Sequence, residues 1–510
     1  MSLAIVHTRA NIGIDAPLVT VETHLSNGLP SLAIVGLPEA AVRESKERVR
    51  SAILNAGLEF PTRRMTINLA PADLPKSGGR YDLAIALSIL AASGQIPLQG
   101  LADYEVLGEL ALSGALRPVH GVLPAVLAAR DQGRTLLLPA VNMAEAALVR
   151  GVRALAGEHL LQVCTQLRTA SGMQPVEFTP PSTVPASGAS VSLADIKGQQ
   201  AAKRALQVAA AGAHNILFIG PPGTGKTLLA NSLLSLLPPL DEAEALEAAA
   251  IQSIARQPID AARWLQPAFR APHHTATSIA LVGGGAQASP GEITLAHRGV
   301  LFLDELPEFN RSVLEVLREP LESGCITISR ANYRLQLPAN FQLVAAMNPC
   351  KCGFHGDPDG RCRCTPEGVK RYLEKISGPL LDRIDLMVEV PRLAPHELRA
   401  VQQSPLARDA RDNEQNVTRI SDCRQLQKRR HGRLNSDLSV SEVAASCVLD
   451  GPSEKFLELA VNKLQLSARA HHRVLKIART IADLAGRETI AQPDLAEALA
   501  YRRVEKFFRT

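Results

Sequence analysis

GPPGTGKT, Gly220–Thr227, fits the pattern G-x-x-x-x-G-K-[ST] at every position. Gly220, Gly223 and Gly225 carry no Cβ, so consecutive backbone N–H groups can turn inward and cradle phosphate oxygens. Pro221, Pro222 and Thr224 fill the positions between them. Lys226 is expected to reach the β- and γ-phosphates, and the Thr227 hydroxyl to ligate Mg²⁺. The flanks agree. The apolar run Asn215–Ile219 reads as a buried strand, and LLANSLLSLL reads as a helix whose N-terminus faces the phosphates. A chance glycine loop would not bring that strand and helix with it. The stretch predicts a nucleotide site on an α/β fold.

The chain around it has 510 residues, too many for one core, and roughly two to four domains are expected. With 46% hydrophobic and 21% charged residues its composition is that of an ordinary globular protein. No apolar run reaches transmembrane length, and MSLAIVHTRANIGID lacks the basic-then-apolar form of a signal peptide. The cytoplasm is the expected compartment, with no membrane partner. The net charge of +5 does not by itself mark a nucleic-acid binder. Its distribution says more: from Pro391 onward there are 21 Lys+Arg against 15 Asp+Glu.

Residues up to about 170 alternate β-patterned runs with helices. HTRANIGIDAPLVTVETHLS reads as paired strands, SLAIVG and RMTINLAP as further strands, and EAAVRESKERVRSAILNAG as an amphipathic helix. Its basic residues, Arg43, Lys46, Arg48 and Arg50, read as a solvated face balanced by Glu39, Glu44 and Glu47, with DNA contact the alternative. DLPKSGGRYDLAIALSIL and GELALSGALRPVHGVLPAVLAAR then each read as a turn feeding a helix. These two segments resemble the proteolytic domain of the Lon family, which holds a serine in a G-P-S-A-G turn and a lysine in the helix after an L-P-I-G-G strand. Laid on those motifs, Arg80 takes the serine position and Leu123 the lysine position. Ser77 is close by, but the second motif has no lysine to activate it, so no Ser–Lys nucleophile can form. The resemblance implies a Lon-like fold without protease chemistry, a platform for assembly or DNA contact similar to that of the RadA recombination ATPases.

SGMQPVEFTPPSTVPASGAS, 171–190, is rich in Pro, Ser and Gly and reads as a linker. Beyond it the chain resembles AAA+ ATPases. By that resemblance Ile196 and Gly198 contact the adenine. GVLFLDEL is an apolar strand ending in two acids: Asp304 is expected in the Mg²⁺ shell, and Glu305 polarises the attacking water. FQLVAAMNP ends in Asn348, where such proteins keep a polar sensor of the γ-phosphate. GPLLDRIDL carries Arg383, placed as an arginine finger given in trans to a neighbour's ATP; such fingers contribute roughly 10³–10⁵ in rate. The structural alternative is a salt bridge to Asp382 or Asp385. In QLSARAHHRVLKIARTIADLAG, Arg469 is the candidate sensor arginine of a lid domain, with Arg473 in reserve. A site completed by a neighbour needs an interface at every nucleotide, which implies a ring, most often a homohexamer.

Two features bear on what the motor acts on. FRAPHHTATSIALVGGGAQASPGEITLAHRG is a histidine-bearing strand pattern with a glycine turn, and ESGCITISRANYRLQLPANFQ reads as two β-runs with a turn near Arg330. Both resemble the pore hairpins of minichromosome maintenance helicases and magnesium chelatases. In the helicases the matching position, Arg330 here, is a basic residue that follows the DNA backbone; an exposed turn arginine is the alternative. His273 and His274 either line the pore, contact the nucleotide interface or serve as structural hydrogen-bonders. NPCKCGFHGDPDGRCRCTPEG places Cys350, Cys352, Cys362 and Cys364 in two C-x-C pairs, half of the chain's 8 cysteines in one stretch. Four thiolates suit tetrahedral Zn²⁺, with His355 a possible replacement ligand. Free or oxidation-sensitive thiols are the alternative. CRQLQKRRHGR, the densest basic run, reads as a solvated face that could also hold single-stranded DNA.

The Lon-like N-terminus, P-loop, FRAPHHT segment, LFLDELPEF, paired C-x-C and SARAHHR helix together resemble the YifB/ComM family of magnesium-chelatase-like AAA+ ATPases. The implied fold class is an α/β AAA+ P-loop core with a helical lid behind a Lon-like α+β domain. The implied boundaries are 1–170, a linker at 171–190, a core at 191–391 and a lid at 392–510. The implied activity is an ATP- and Mg²⁺-dependent ring motor on single-stranded and branched DNA, a helicase driving branch migration in recombination and natural transformation. Its partners would be its own copies and recombination proteins. A magnesium chelatase subunit leaves the N-terminal domain and the cysteines unexplained, and a Lon-type protease lacks its nucleophile. A remodeler of a protein partner is the competing class, because pore hairpins can also grip peptides.

Overall fold

DLAIALSILAA, Asp82–Ala92, is apolar on every side, and such a helix can only be a core helix. All eleven of its residues are buried, against the sheet of the N-terminal half. That placement is seen in the computed structural model, which describes residues 2–168, 191–284, 289–329, 334–357, 359–393, 406–464, 466–502 and 508. The linker expected at 171–190 and Arg330, expected near a turn, lie outside the described residues. The described residues within 1–183, 246–264 and 330–335 form one compact unit, and those within 184–245, 265–329 and 336–510 the other.

In the first unit, β1 (Ser2–Arg9), β2 (Leu18–Ser26), β3 (Ser31–Val35), β4 (Arg64–Ala70), β5 (Tyr104–Val106), β6 (Thr135–Pro139) and β7 (Arg153–Gly157) form a mixed sheet in the order β3-β4-β2-β1-β5-β6-β7. β2 alternates half-buried and buried residues along its whole length, the period of a strand with one face on a core. The helix Ser45–Asn55 buries Val49, Ala52 and Ile53. Its basic face is less solvated than the sequence predicts. Arg48 forms a two-pronged pair with the buried Asp82 at 2.8 and 3.1 Å, and Arg50 lies over the Phe60 ring. Arg80 is buried in the turn before Asp82, and Leu123 is buried at the start of the helix Leu123–Asp131. Lys76, next to the exposed Ser77, is buried with its amine donating to the carbonyls of Gly36 and Pro71.

In the second unit, β8 (Ile216–Ile219), β9 (Phe269–Arg270), β10 (Val300–Leu303), β11 (Gln342–Met347) and β12 (Leu386–Glu389) form a parallel sheet in the order β9-β10-β11-β8-β12. β8, β10 and β11 are buried at every position, as a sheet covered on both faces requires. The helices Gln200–Gly212, Leu406–His431, Ala468–Leu484 and Gln492–Ala500 share one hydrophobic core with these strands. Ser467 caps Ala468–Leu484 by accepting from the Ala470 N–H.

Beyond β9 the histidine-bearing insertion pairs as strands only beside its glycine run, and its apolar stretch is helical. It forms a short helix, Ser278–Val282, capped by Thr277, then a two-residue ribbon of Gly283–Gly284 with Ser289–Pro290. A side-chain cap at Thr277 starts a helical turn that apolar alternation alone does not reveal. The basic run after Cys423 is exposed at Lys428, Arg429 and Arg433, as a solvated face requires, while Arg424 and Arg430 turn partly inward. Arg424 donates to the Ala210 carbonyl, Lys428 pairs with Glu244, Arg430 with Asp483 and Arg433 with Glu442.

Candidate nucleotide site

Three parallel strands end side by side, and the expected nucleotide residues follow directly from their carboxyl ends. Gly220 follows β8, Asp304 follows β10, and Asn348 follows β11. Ligands of open α/β sheets bind at this edge. Gly223 and Gly225 have φ of 75° and 86°, left-handed values that favour glycine, and open space stands where a Cβ would be. Gly220 is needed for packing instead: a Cβ there would stand 2.2 Å from the Val390 carbonyl oxygen.

Lys226 Nζ donates to the carbonyls of Gly220 and Pro221, each at 2.8 Å, and to Asn348 Oδ1 at 3.1 Å. Burial holds its pKa below the usual lysine value, against the opposing pull of Asp304 and Glu305. The ammonium therefore sits inside the loop with acceptors that a phosphate can replace. Thr227 Oγ1 donates to Asp304 Oδ2 at 2.8 Å, so a hydroxyl and a carboxylate from two elements stand together, a fitting pair for Mg²⁺. Glu305 has φ 52° and ψ 46°, a left-handed conformation that costs a non-glycine residue roughly 1–3 kcal/mol and is found mostly at functional sites. Its N–H donates to Asp304 Oδ1 at 2.9 Å. His274 Nδ1 lies 3.4 Å from the Glu305 carboxylate, with the His273 ring packed on His274 at 4.1 Å between centroids. His274 thus faces the acid after β10.

Ile196 is buried in the core, and Gly198 packs so closely that a Cβ would stand 2.5 Å from Leu393. The neighbouring Gln199 donates to the Pro391 carbonyl at 2.7 Å, which sets this segment at the end of β12 beside the P-loop.

Arg383 and Arg469 come together elsewhere. Arg383 precedes β12, at the amino edge of the sheet, and the four residues of β8 separate that edge from the P-loop by roughly 13 Å. Neither Asp382 nor Asp385 pairs with it. Arg383 bonds Glu322 and the Pro379 carbonyl, and Arg469 approaches the same Glu322 at 3.6 Å. Both line a cleft of about 970 Å³ to which no residue of Gly220–Thr227 contributes. Arg473, the reserve candidate, is mostly buried and lies 3.7 Å from Asp385. Sequence reading missed Glu322, 61 residues upstream of Arg383, because no local pattern links them.

The four cysteines of the paired C-x-C stretch are brought together, their sulfurs all within 4.8 Å of one another. Cys350 and Cys352 are 3.3 Å apart, Cys352 and Cys362 3.6 Å, and Cys350 and Cys362 3.8 Å. None of the four is in a disulfide. Burial pushes the Cys350 thiol up to about 12. Cys352, against the effect of burial, is brought down to about 6 by the N–H groups of Arg363 and Phe354. His355 is not in the sulfur group. Gly353, at φ 85°, lies so close to the P-loop that a Cβ would stand 2.5 Å from Pro222 Cδ.

Residues 192–398 match the family described as magnesium chelatase, subunit ChlI, and residues 411–502 match its C-terminal region. The competence protein ComM of Haemophilus influenzae is 50% identical over 512 residues, spanning 100% of this chain and 99% of its own. The chain belongs to the YifB/ComM family of magnesium-chelatase-like AAA+ ATPases. The protein YifB of Salmonella typhimurium is 48% identical across 99% of this chain and 98% of its own. The magnesium-chelatase 38 kDa subunit of Cereibacter sphaeroides is 26% identical over 176 residues, 30% of this chain and 51% of its own. Residues 21–142 also match a family described as subunit ChlI of Mg-chelatase, so the N-terminal region does not set the chain apart from chelatases as the sequence argument assumed. A family of AAA+ ATPases implies ATP and Mg²⁺, and the Lys226, Thr227 and Asp304 arrangement fits both. Among the described residues no helix is long and apolar enough to cross a membrane.

Proposed function

We propose that this ATPase is a cytoplasmic ring motor that moves single-stranded or branched DNA, driving branch migration during recombination and natural transformation. The observation that carries the reading is the separation of Arg383 from its own P-loop across the sheet. An arginine that cannot reach the nucleotide of its own chain can complete a neighbour's site, and repetition of that contact closes a ring, here taken as a hexamer. In this reading Lys226 holds the phosphates, Thr227 and Asp304 hold Mg²⁺, and Glu305, oriented by His274, polarises the attacking water. Asn348 senses the γ-phosphate, and Arg383 and Arg469 meet the charge from across the interface. Arg330, in the stretch read from the sequence as a hairpin turn, follows the DNA phosphates. Cys350, Cys352, Cys362 and Cys364 hold a structural Zn²⁺. The N-terminal unit serves as a Lon-like platform without a nucleophile. The relative named for competence supports the DNA assignment.

The test is ATP hydrolysis with and without single-stranded or forked DNA, alongside the mass of the assembly with nucleotide bound. Stimulation by DNA, lost in Lys226→Ala, is expected. Hydrolysis indifferent to DNA but raised by a protein partner would make the chain a protein remodeler. A monomer hydrolysing at full rate would end the ring reading.

A further inference from the structure

Asn215, the residue just before β8, uses both ends of its carboxamide. Its Oδ1 accepts from the Leu343 N–H on β11 at 2.8 Å, and its Nδ2 donates to the Arg383 carbonyl at 3.0 Å. Its backbone is engaged as well. The N–H donates to Asp385 Oδ2 at 3.1 Å, and the carbonyl accepts from the N–H groups of Asp385 and Leu386 at 3.1 and 3.0 Å. One residue therefore joins the strand leading to the P-loop, the strand leading to Asn348 and the segment that carries Arg383. Asp385 is held from its other side by helix Ala468–Leu484, where Arg473 lies 3.7 Å away. His214 stands 3.4 Å from the same carboxylate and shares a 2.8 Å bond with Thr480 of that helix.

We propose that Asn215 is the positioning residue of Arg383, tying the arginine segment to the two strands that end at the nucleotide. The inference rests on the reading of Arg383 as an arginine that acts on a neighbour's ATP. A carboxamide supplies one acceptor and one donor at the same reach; a carboxylate supplies only acceptors, and an alkyl side chain neither. A shift of β8 or β11 on nucleotide binding is passed by these bonds to the backbone of Arg383. Displacing a catalytic group by about 1 Å can cost about 10²-fold in rate.

Asn215→Asp keeps the size and the acceptor but sets a carboxylate against the Arg383 carbonyl. In the full-length chain, kcat for ATP is expected to fall about 10–100-fold, while affinity for a fluorescent ATP analogue stays within about twofold, because the chain's own P-loop is intact. Asn215→Ala, which adds no charge, should behave alike. Mixing either variant with Lys226→Ala chains, whose Arg383 is intact, should restore hydrolysis severalfold. Arg383→Ala mixed with Lys226→Ala is run in parallel. Recovery in that mixture with none for the Asn215 variants overturns the positioning role. Absence of recovery in the Arg383→Ala mixture as well means that Arg383 does not serve a neighbour, and the earlier reading fails with it. Loss of nucleotide affinity together with kcat would make Asn215 merely structural and also overturn the proposal.

Discussion

The zinc ion proposed for the cysteine cluster should tighten the P-loop, and the fit can be worked from the sulfur positions. Four thiolates at the usual Zn–S length of about 2.3 Å stand about 3.8 Å apart on the edges of a tetrahedron. Three of the six separations, 3.3, 3.6 and 3.8 Å, lie within half an ångström of that edge, and all six sulfur pairs lie within 4.8 Å. They are far from a disulfide bond of about 2.05 Å. Closing the cluster on an ion takes shifts of about an ångström at most, so a good part of the roughly 10–16 kcal/mol seen for structural zinc in small peptides at neutral pH is available to order the cysteine loop. That loop touches Pro222 through Gly353, and its order should reach the phosphate cradle. Purified protein should hold one zinc ion per chain by elemental analysis. Stripping it with a strong chelator, or Cys362→Ser with Cys364→Ser, should lower the unfolding midpoint and weaken ATP binding about tenfold, or about 1.4 kcal/mol. Zinc added back should restore the chelated protein but not the double variant. Because the ligands must be thiolates, retention should fail as pH falls. Metal-free protein that keeps its unfolding midpoint and nucleotide affinity under chelation would refute the reasoning.

Other perturbations separate catalysis from stability. Arg383→Ala should cost about 10³-fold or more in kcat. Its effect on stability should be modest, about 1–2 kcal/mol, because the pair with the mostly exposed Glu322 is worth little although the Arg383 side chain itself is largely buried; steady-state kinetics beside a thermal melt checks both. Asp483→Ala should do the reverse. Asp483 receives Arg479 at 3.0 Å, Arg430 at 2.6 and 3.1 Å and Asn435 at 2.9 Å. Its loss leaves buried guanidinium charge uncompensated at a cost of roughly 3–5 kcal/mol, readable as a lower denaturant midpoint. Arg330→Ala should weaken DNA binding uniformly across sequences and reduce the salt slope by about 1, measured by fluorescence anisotropy over a salt series; unchanged binding would remove its pore role.

The nucleotide site was legible from the chain alone because its parts are local. A glycine loop, its lysine and its threonine are adjacent, and the acids Asp304 and Glu305, like Asn348, follow an apolar run that reads as a buried strand. Strand order, by contrast, depends on which runs pair, and the middle place of β11 between β10 and β8 is what brings Asn348 to Lys226. The helical start of the histidine insertion turned on one threonine cap, a contact that periodicity does not register. The partners of charged groups were least legible. Arg383 found Glu322, Arg430 found Asp483, and His274 found Glu305, each across a gap in sequence that no spacing rule spans. Sequence by itself determined which chemistry the chain carries, since that rests on residue types in short runs. Only the tertiary structure decided that Arg383 lies at the opposite edge of the sheet from its own P-loop, because the direction and length of parallel strands, not the distance along the chain, set which ends can meet.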